Sequence, residues 1–151
     1  MKIFKIILGI VLFAFIVIQF LPSESNQSDL VPITDFILVN TVPESITQKL
    51  KTSCYDCHSN NTQYPWYNKI KPIAWLLEDH IKEGKAELNF STWDKLSNRR
   101  KVSKLKSIIN QIKDNEMPLF SYTIIHRDAI YSDEEKLVII EYMTELNQKL
   151  Q

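Results

Sequence analysis

The sequence predicts an all-α protein, and three observations support this prediction. Apolar residues recur at the three- and four-residue spacing of amphipathic helices in four stretches, which begin near residues 41, 72, 97 and 132. No pair of alternating segments joined by a hairpin turn is found. Only two glycines occur, Gly9 and Gly84, whereas a β-rich fold with many tight turns needs more.

Local signals predict where these helices begin and end. Thr41–Glu44 and Ser132–Glu135 both have the pattern of a capping box, in which the first and fourth side chains bond each other's backbone N–H. The first box predicts a helix that ends near the two cysteines of the chain. Pro72 suits the first turn of the second helix. The third helix is expected from about Ser97 to Lys113.

The N-terminal segment is strongly apolar. Lys2 and Lys5 precede an apolar run from Ile6 to Leu21 that is broken by one glutamine. As a helix this run is about 24 Å long, near the ~30 Å hydrocarbon core of a bilayer. It ends without a typical small-residue cleavage site, and basic residues precede it. We therefore predict residues 1–21 to be an uncleaved signal anchor with the body of the chain outside; cleavage of the segment is the alternative.

The rest of the chain is divided by composition. Residues 22–40 are polar at first and lack helical periodicity, which predicts a tethering linker whose last residues can pack on the body. Residues 41–151 have the size of one small domain. Lys plus Arg equal Asp plus Glu at 18 each, so nothing in the charge balance favours nucleic-acid binding.

Both cysteines lie in one pentapeptide, Cys54-Tyr55-Asp56-Cys57-His58. This is the C-x-x-C-H pattern of covalent c-type haem attachment. Each thiol can add across one haem vinyl group, and the imidazole of His58 can then bind the iron. Because this attachment takes place outside the bacterial cytoplasm, it agrees with an exported chain. The motif therefore predicts one covalently bound haem c, with residues 41–151 as a small cytochrome c-like domain around it.

Three other interpretations of the motif compete with this one. The cysteines could form a redox-active dithiol, although such centres usually open a helix in a βαβ setting that is not evident here. They could form half of a zinc site together with His58, although no second pair of ligands is found. They could also form a simple disulfide.

A haem iron has a sixth coordination position, and the sequence offers two side chains for it. Met117 lies in a loop about sixty residues after His58, and a thioether is a known sixth ligand. His80 lies on the apolar face of the second predicted helix and is the rival ligand. Its alternative role is a core histidine with one hydrogen bond. His126 is expected to be a loop or surface residue, or to bond a haem propionate.

Aromatic side chains follow the motif closely. Trp66 and Tyr67 combine large rings with one polar atom, which suits a haem crevice in which the ring packs and the N–H or O–H bonds a propionate. Ordinary core packing explains them equally well.

Several blocks of the sequence together resemble the bacterial haem-binding domain family, a cytochrome c-like group, over about Ser53 to Tyr142. The blocks are Cys54-Tyr55-Asp56-Cys57-His58-Ser59-Asn60, Tyr64-Pro65-Trp66-Tyr67, Leu88-Asn89-Phe90-Ser91 with Trp93, Glu116-Met117-Pro118, and His126 with Asp128-Ala129 before Ser132. Two positions depart from the family pattern, Leu119 and Arg127, where prolines are usual.

The resemblance implies a periplasmic, membrane-anchored protein of the inner membrane with one haem. It places Cys54 and Cys57 at the haem, His58 as the proximal ligand and Met117 at the distal position. We expect one-electron transfer rather than catalysis, with redox partner proteins and the c-type haem maturation machinery as partners. A haem-based sensor or peroxidase-like protein with a displaceable sixth ligand is the alternative, followed by a thiol-redox protein without haem.

Overall fold

The computed structural model describes residues 1–28 and 30–151, and every regular element in them is helical. Asp29, within the predicted linker, lies outside the described residues. The described residues form eight α-helices: α1 (Lys2–Ile18), α2 (Phe36–Asn40), α3 (Glu44–Leu50), α4 (Asp56–His58), α5 (Ile73–Glu87), α6 (Asn98–Lys113), α7 (Phe120–Thr123) and α8 (Asp133–Lys149). One π-helical turn (Lys51–Tyr55) and three 3₁₀ segments (Trp66–Lys69, Phe90–Lys95 and Arg127–Ala129) connect them. The all-α prediction is confirmed.

The two predicted capping boxes have different outcomes. At α8 the box is present: Ser132 Oγ accepts from Glu135 N at 3.1 Å, and the Glu135 carboxylate accepts from Ser132 N at 2.7 Å. At α3 the prediction is wrong, because Thr41 is in the left-handed conformation (φ 49°) and closes α2 instead. Helix α3 then begins at Glu44 without a side-chain cap. Thr41, which the pattern assigned to the N-cap of α3, is therefore the C-cap residue of the preceding helix α2.

The core is formed where α2, α3, α6 and α8 pack around the 3₁₀ segment Phe90–Lys95. Phe36 contacts Trp93 and Phe90 edge-to-face, with ring centroids 4.9 and 5.2 Å apart. Phe36, Trp93, Leu105 and Met143 are each at most 1% exposed. The core thus includes a residue from the range predicted as linker.

The segment before α2 also contacts the body. The backbone of Asn26 bonds the loop after the cysteine motif: Asn26 N donates to the side-chain hydroxyl of Tyr64 at 2.7 Å, and Thr62 N donates to the Asn26 carbonyl at 2.9 Å. Asn26 Nδ2 also donates to the Ser59 carbonyl and to Thr62 Oγ1, both at 2.9 Å. Parts of the range 22–40 are therefore bound to the domain rather than free of it.

Helix α1 is 17 residues long and has no buried residue. Its C-terminal end meets the domain at Gln19, whose side chain donates to the Lys71 carbonyl at 3.1 Å and accepts from Lys71 N at 3.0 Å. Among the residues that the structure describes, no helix combines the length and the apolar character needed to cross a bilayer. The membrane-spanning helix predicted within residues 1–21 is therefore not supported.

Replacement of Phe36 tests whether α2 belongs to the core. We expect Phe36→Ala to lower the free energy of unfolding by about 3–5 kcal/mol, because a fully buried ring leaves a cavity. Leu38→Ala, in the same helix but 55% exposed, is the matched control and should change it by less than about 0.5 kcal/mol. Equal effects of the two variants in urea denaturation would show that α2 is not part of the cooperative core.

Candidate functional site

The cysteine motif lies at the end of a continuous helical run, as the sequence predicted. Helix α3 passes into the π-helical turn Lys51–Tyr55 and then into α4, which ends at His58. π-Helical turns are rare in proteins. Where one does occur, it is often at a functional site. Here the wider turn contains Cys54, while Cys57 and His58 belong to the α-helical turn that follows.

A side chain between the two cysteines fixes the motif to the core. The Tyr55 ring stacks on Phe90, with centroids 5.0 Å and planes 3° apart. Its hydroxyl donates to Asp35 Oδ1 at 2.8 Å. Asp35 is 2% exposed, and burial raises the pKa of its carboxyl, which the bond from Tyr55 partly offsets. The motif is therefore held by a stacked ring and a buried hydrogen bond.

The C-terminal end of α5 approaches the motif closely. An ideal Cβ on Gly84 would lie 2.7 Å from the Cys57 carbonyl oxygen, so any other side chain there would force the two helices apart. One turn later, the Leu88 carbonyl lies 3.0 Å from Nδ1 of His58. A carbonyl only accepts, so Nδ1 carries the proton and Nε2 keeps its lone pair. Burial also lowers the pKa of His58, which favours this neutral, ligating form.

Two adjoining cavities, of about 390 and 260 Å³, border the motif. Together they have the size of a small-cofactor pocket, about 300–1,000 Å³. Both are lined by Cys54, His58 and Met117. The larger cavity is also lined by Cys57 and by one face of α5, including His80. The cavity walls thus bring together the two thiols, the predicted proximal histidine and both candidates for the sixth ligand.

Met117 reaches the cavities through a sharp turn after α6. Asn115 adopts the left-handed conformation (φ 57°), which asparagine tolerates well. The backbone N–H groups of Glu116 and Met117 then donate to the Gln111 carbonyl at 2.9 and 3.2 Å. This bonding closes the helix and turns the chain toward the motif, so that Met117 lines both cavities.

The other residues proposed from the sequence lie in different places. Tyr67 lines the larger cavity, whereas Trp66 is 76% exposed and lines neither. His126 is paired rather than free: Tyr67 Oη lies 2.7 Å from its Nε2, and the Tyr122 ring stacks on its imidazole at 4.2 Å. Trp93 is a core residue.

Several residues at the site were not identified from the sequence. Tyr122 lines the larger cavity and donates to Asp56 Oδ2 at 2.8 Å. Tyr131 lines the smaller one, and its hydroxyl lies 3.3 Å from Cys54 Sγ. Both tyrosines lie more than sixty residues from the motif in the chain, and no local pattern marks them. Leu88 acts through its backbone carbonyl, which carries no residue-type signal, whereas Gly84 acts through its lack of a side chain.

The electrostatics of the thiols do not favour a redox-active dithiol. Burial raises the pKa of Cys54 to about 11, and burial with the nearby Asp56 carboxylate raises that of Cys57 to about 11. At pH 7 only on the order of one thiol in ten thousand would be ionised, whereas the thiols of reactive dithiols have a lowered pKa.

The zinc interpretation also finds no support. Within residues 1–28 and 30–151, no group of three or more histidine, cysteine or acidic side chains is arranged to hold a metal ion.

Replacement of Gly84 tests the contact between α5 and the motif. In a helix interior, alanine stabilises the helix by about 1 kcal/mol relative to glycine. Without the contact, Gly84→Ala would therefore stabilise the protein. Because the new Cβ would clash with Cys57, we expect a net loss of about 1–3 kcal/mol in the free energy of unfolding. Gly9→Ala is the control, because no atom outside the adjacent residues and the backbone of its own helix lies within 4 Å of the added Cβ. A stabilised Gly84→Ala variant would contradict the close approach.

The comparisons with known proteins agree with the site. No curated protein and no solved structure matches the chain. Residues 13–145, most of the chain, match the haem-binding domain family. The donor set fits a haem, because two thiols, an imidazole with a free Nε2 and a thioether all line the larger cavity. The chain therefore belongs to the haem-binding domain family.

Proposed function

We propose that the protein binds one haem c covalently through Cys54 and Cys57 and transfers one electron at a time. The observation that carries this proposal is the hydrogen bond from His58 Nδ1 to the Leu88 carbonyl, because it orients a histidine that lines the same cavity as both cysteines. This bond orients the imidazole and leaves Nε2 as the proximal iron ligand. When bound, the haem supplies the one-electron redox couple.

The remaining cavity residues tune that couple. Met117 is the distal ligand in this proposal, because it lines both cavities together with His58. A Met/His pair raises the reduction potential relative to two histidines. Leu76, Leu77 and Ile125 give the larger cavity an apolar wall. An apolar surrounding favours the less charged ferrous state and raises the potential further.

The location of the protein forms part of the same proposal. Covalent haem attachment to C-x-x-C-H takes place outside the bacterial cytoplasm, so the domain is proposed to lie on the periplasmic side. The apolar segment that includes α1 is proposed to direct export and to hold the protein at the inner membrane. The exposed apolar side chains along Lys2–Ile18 support this role, because the domain does not cover them.

A potentiometric titration of the purified holoprotein tests electron transfer. We expect a single reversible transition that fits a one-electron Nernst curve, since one haem and no other redox centre is proposed. Slow or irreversible reduction, or reaction with peroxide at rates of a peroxidase, would favour the alternative of a haem enzyme or sensor.

A methionine comparison tests the sixth ligand. Met117→Leu should lower the midpoint potential and allow the reduced protein to bind carbon monoxide, because the thioether no longer occupies the iron. Met143→Leu is the matched control, because Met143 is buried in the core and lines neither cavity. If Met117→Leu leaves the potential and carbon monoxide binding unchanged while His80→Ala alters both, His80 is the ligand instead.

Cell fractionation tests the proposed location. The holoprotein expressed with its own N-terminus should sediment with inner membranes and require detergent for release, whereas a chain whose segment 1–21 is replaced by a cleavable export signal should appear in the periplasmic fraction. Recovery of the unaltered chain in the periplasmic fraction would instead indicate cleavage of the segment.

A further inference from the structure

A haem has two propionate side chains, and a carboxylate that leaves bulk water needs a cation or hydrogen-bond donors as partners. The sequence predicts Trp66, Tyr67 and His126 for this role. In the structure Trp66 lines neither cavity, and the Tyr67 hydroxyl is paired with His126 at 2.7 Å. Their surroundings therefore do not favour these three residues as propionate partners.

The two cavities differ in the charges on their walls. The acidic residues Asp56, Glu83 and Glu87 line the larger cavity, and no lysine or arginine of the described residues does. The smaller cavity is lined by Lys104 together with Glu87. Because a carboxylate is repelled by like charges and attracted by a cation, the smaller cavity is the more favourable one for a propionate.

A polar face of α6 forms one wall of the smaller cavity. Lys104, Ser107 and Gln111 all line it, at the three- and four-residue spacing that places side chains on one face of a helix. Ile108 and Ile112 complete this wall. Helix α6 thus presents an ammonium, a hydroxyl and an amide to the cavity, and each of these groups can donate a hydrogen bond.

The ammonium of Lys104 is only loosely engaged within the protein. Among the described residues its ion-pair contact is with Glu87, at 3.6 Å, which is longer than a hydrogen bond, and the Glu87 side chain is 84% exposed. Lys101 on the same helix, in contrast, contacts Asp94 at 2.6 Å. The Lys104 side chain is 33% exposed, so an ion pair formed there is less screened than one on the open surface.

The positions of the haem-binding residues agree with a propionate on this side. Cys57 lines the larger cavity but not the smaller one, whereas His58 and Met117 line both. An iron between His58 and Met117 therefore borders both cavities. The propionates of a haem lie on the edge opposite its vinyl groups, so a bond to Cys57 directs them away from the larger cavity.

We propose that Lys104 forms an ion pair with one haem propionate in the smaller cavity, with Ser107 and Gln111 as hydrogen-bond donors beside it. This inference rests on the proposed function, because it needs the covalently bound haem. Gln111 also connects the site to the distal ligand, since its carbonyl accepts from the backbone N–H groups of Glu116 and Met117. One helix thus holds both the propionate and the turn that carries Met117.

Solid-state NMR of the reduced, full-length holoprotein tests the ion pair directly. Feeding cells δ-aminolaevulinate with a ¹³C-labelled carboxyl group labels the propionate carboxyls of the haem, and lysine labelled with ¹⁵N at Nζ labels the ammonium groups. We expect a lysine ¹⁵N to dephase the ¹³C signal of one propionate. The dephasing should be lost in Lys104→Met and kept in Lys106→Met, the matched control, because Lys106 is exposed on the same helix and lines neither cavity.

The reduction potential provides a second measurement. A cation beside the haem disfavours the oxidised iron, so Lys104→Met should have a lower potential than the unaltered protein. Lys104→Arg keeps the charge but carries no labelled ammonium. It should therefore lose the dephasing and keep the potential, which separates the contact from the charge.

The proposal is overturned if the unaltered holoprotein shows no dephasing, or if the dephasing persists in both Lys104→Met and Lys104→Arg. A pyridine haemochrome spectrum of each sample distinguishes this failure from that of the proposed function. A c-type spectrum without the lysine contact refutes the ion pair alone. A protein that never acquires haem refutes the proposed function and the propionate site with it.

Discussion

The haem-binding motif depends on its contact with the C-terminal end of α5. Gly84 allows the helix to approach the Cys57 backbone, and the Leu88 carbonyl then accepts from Nδ1 of His58. This hydrogen bond sets the tautomer and the orientation of the imidazole, so Nε2 is available before any iron binds. The face of α5 that leads to this contact also forms one wall of the larger cavity. One helix therefore positions the imidazole of His58 and forms a wall of the cavity.

The features that are encoded locally could be predicted from the sequence. The spacing of Cys54, Cys57 and His58 within one pentapeptide predicts a haem attachment site without any knowledge of the fold. The long helices follow from their apolar periodicity, and the capping box at Ser132 gives the start of α8 correctly. Met117 was identified from its loop position, and the structure places it at both cavities.

The contacts between distant segments could not be predicted in this way. The partner of His58 is a backbone carbonyl thirty residues away, which has no residue-type signature. Phe36 lies at the end of the predicted linker, where packing on the body was expected, but only the Phe90–Lys95 segment against which it packs makes it a core residue. At Thr41 the local pattern gave the wrong helix start because the preceding helix ends there. Local patterns thus predict the candidate ligands, whereas tertiary packing determines how these side chains are held.

We propose that both cysteines bind one haem beside a histidine that α5 has already oriented. A reduced pyridine haemochrome spectrum tests this proposal on protein that is made with the c-type maturation system and extracted with acidified acetone. The haem should stay with the protein and give the spectrum of a haem whose two vinyl groups are saturated. Haem that is extracted completely, or a protein that never acquires haem, would contradict it.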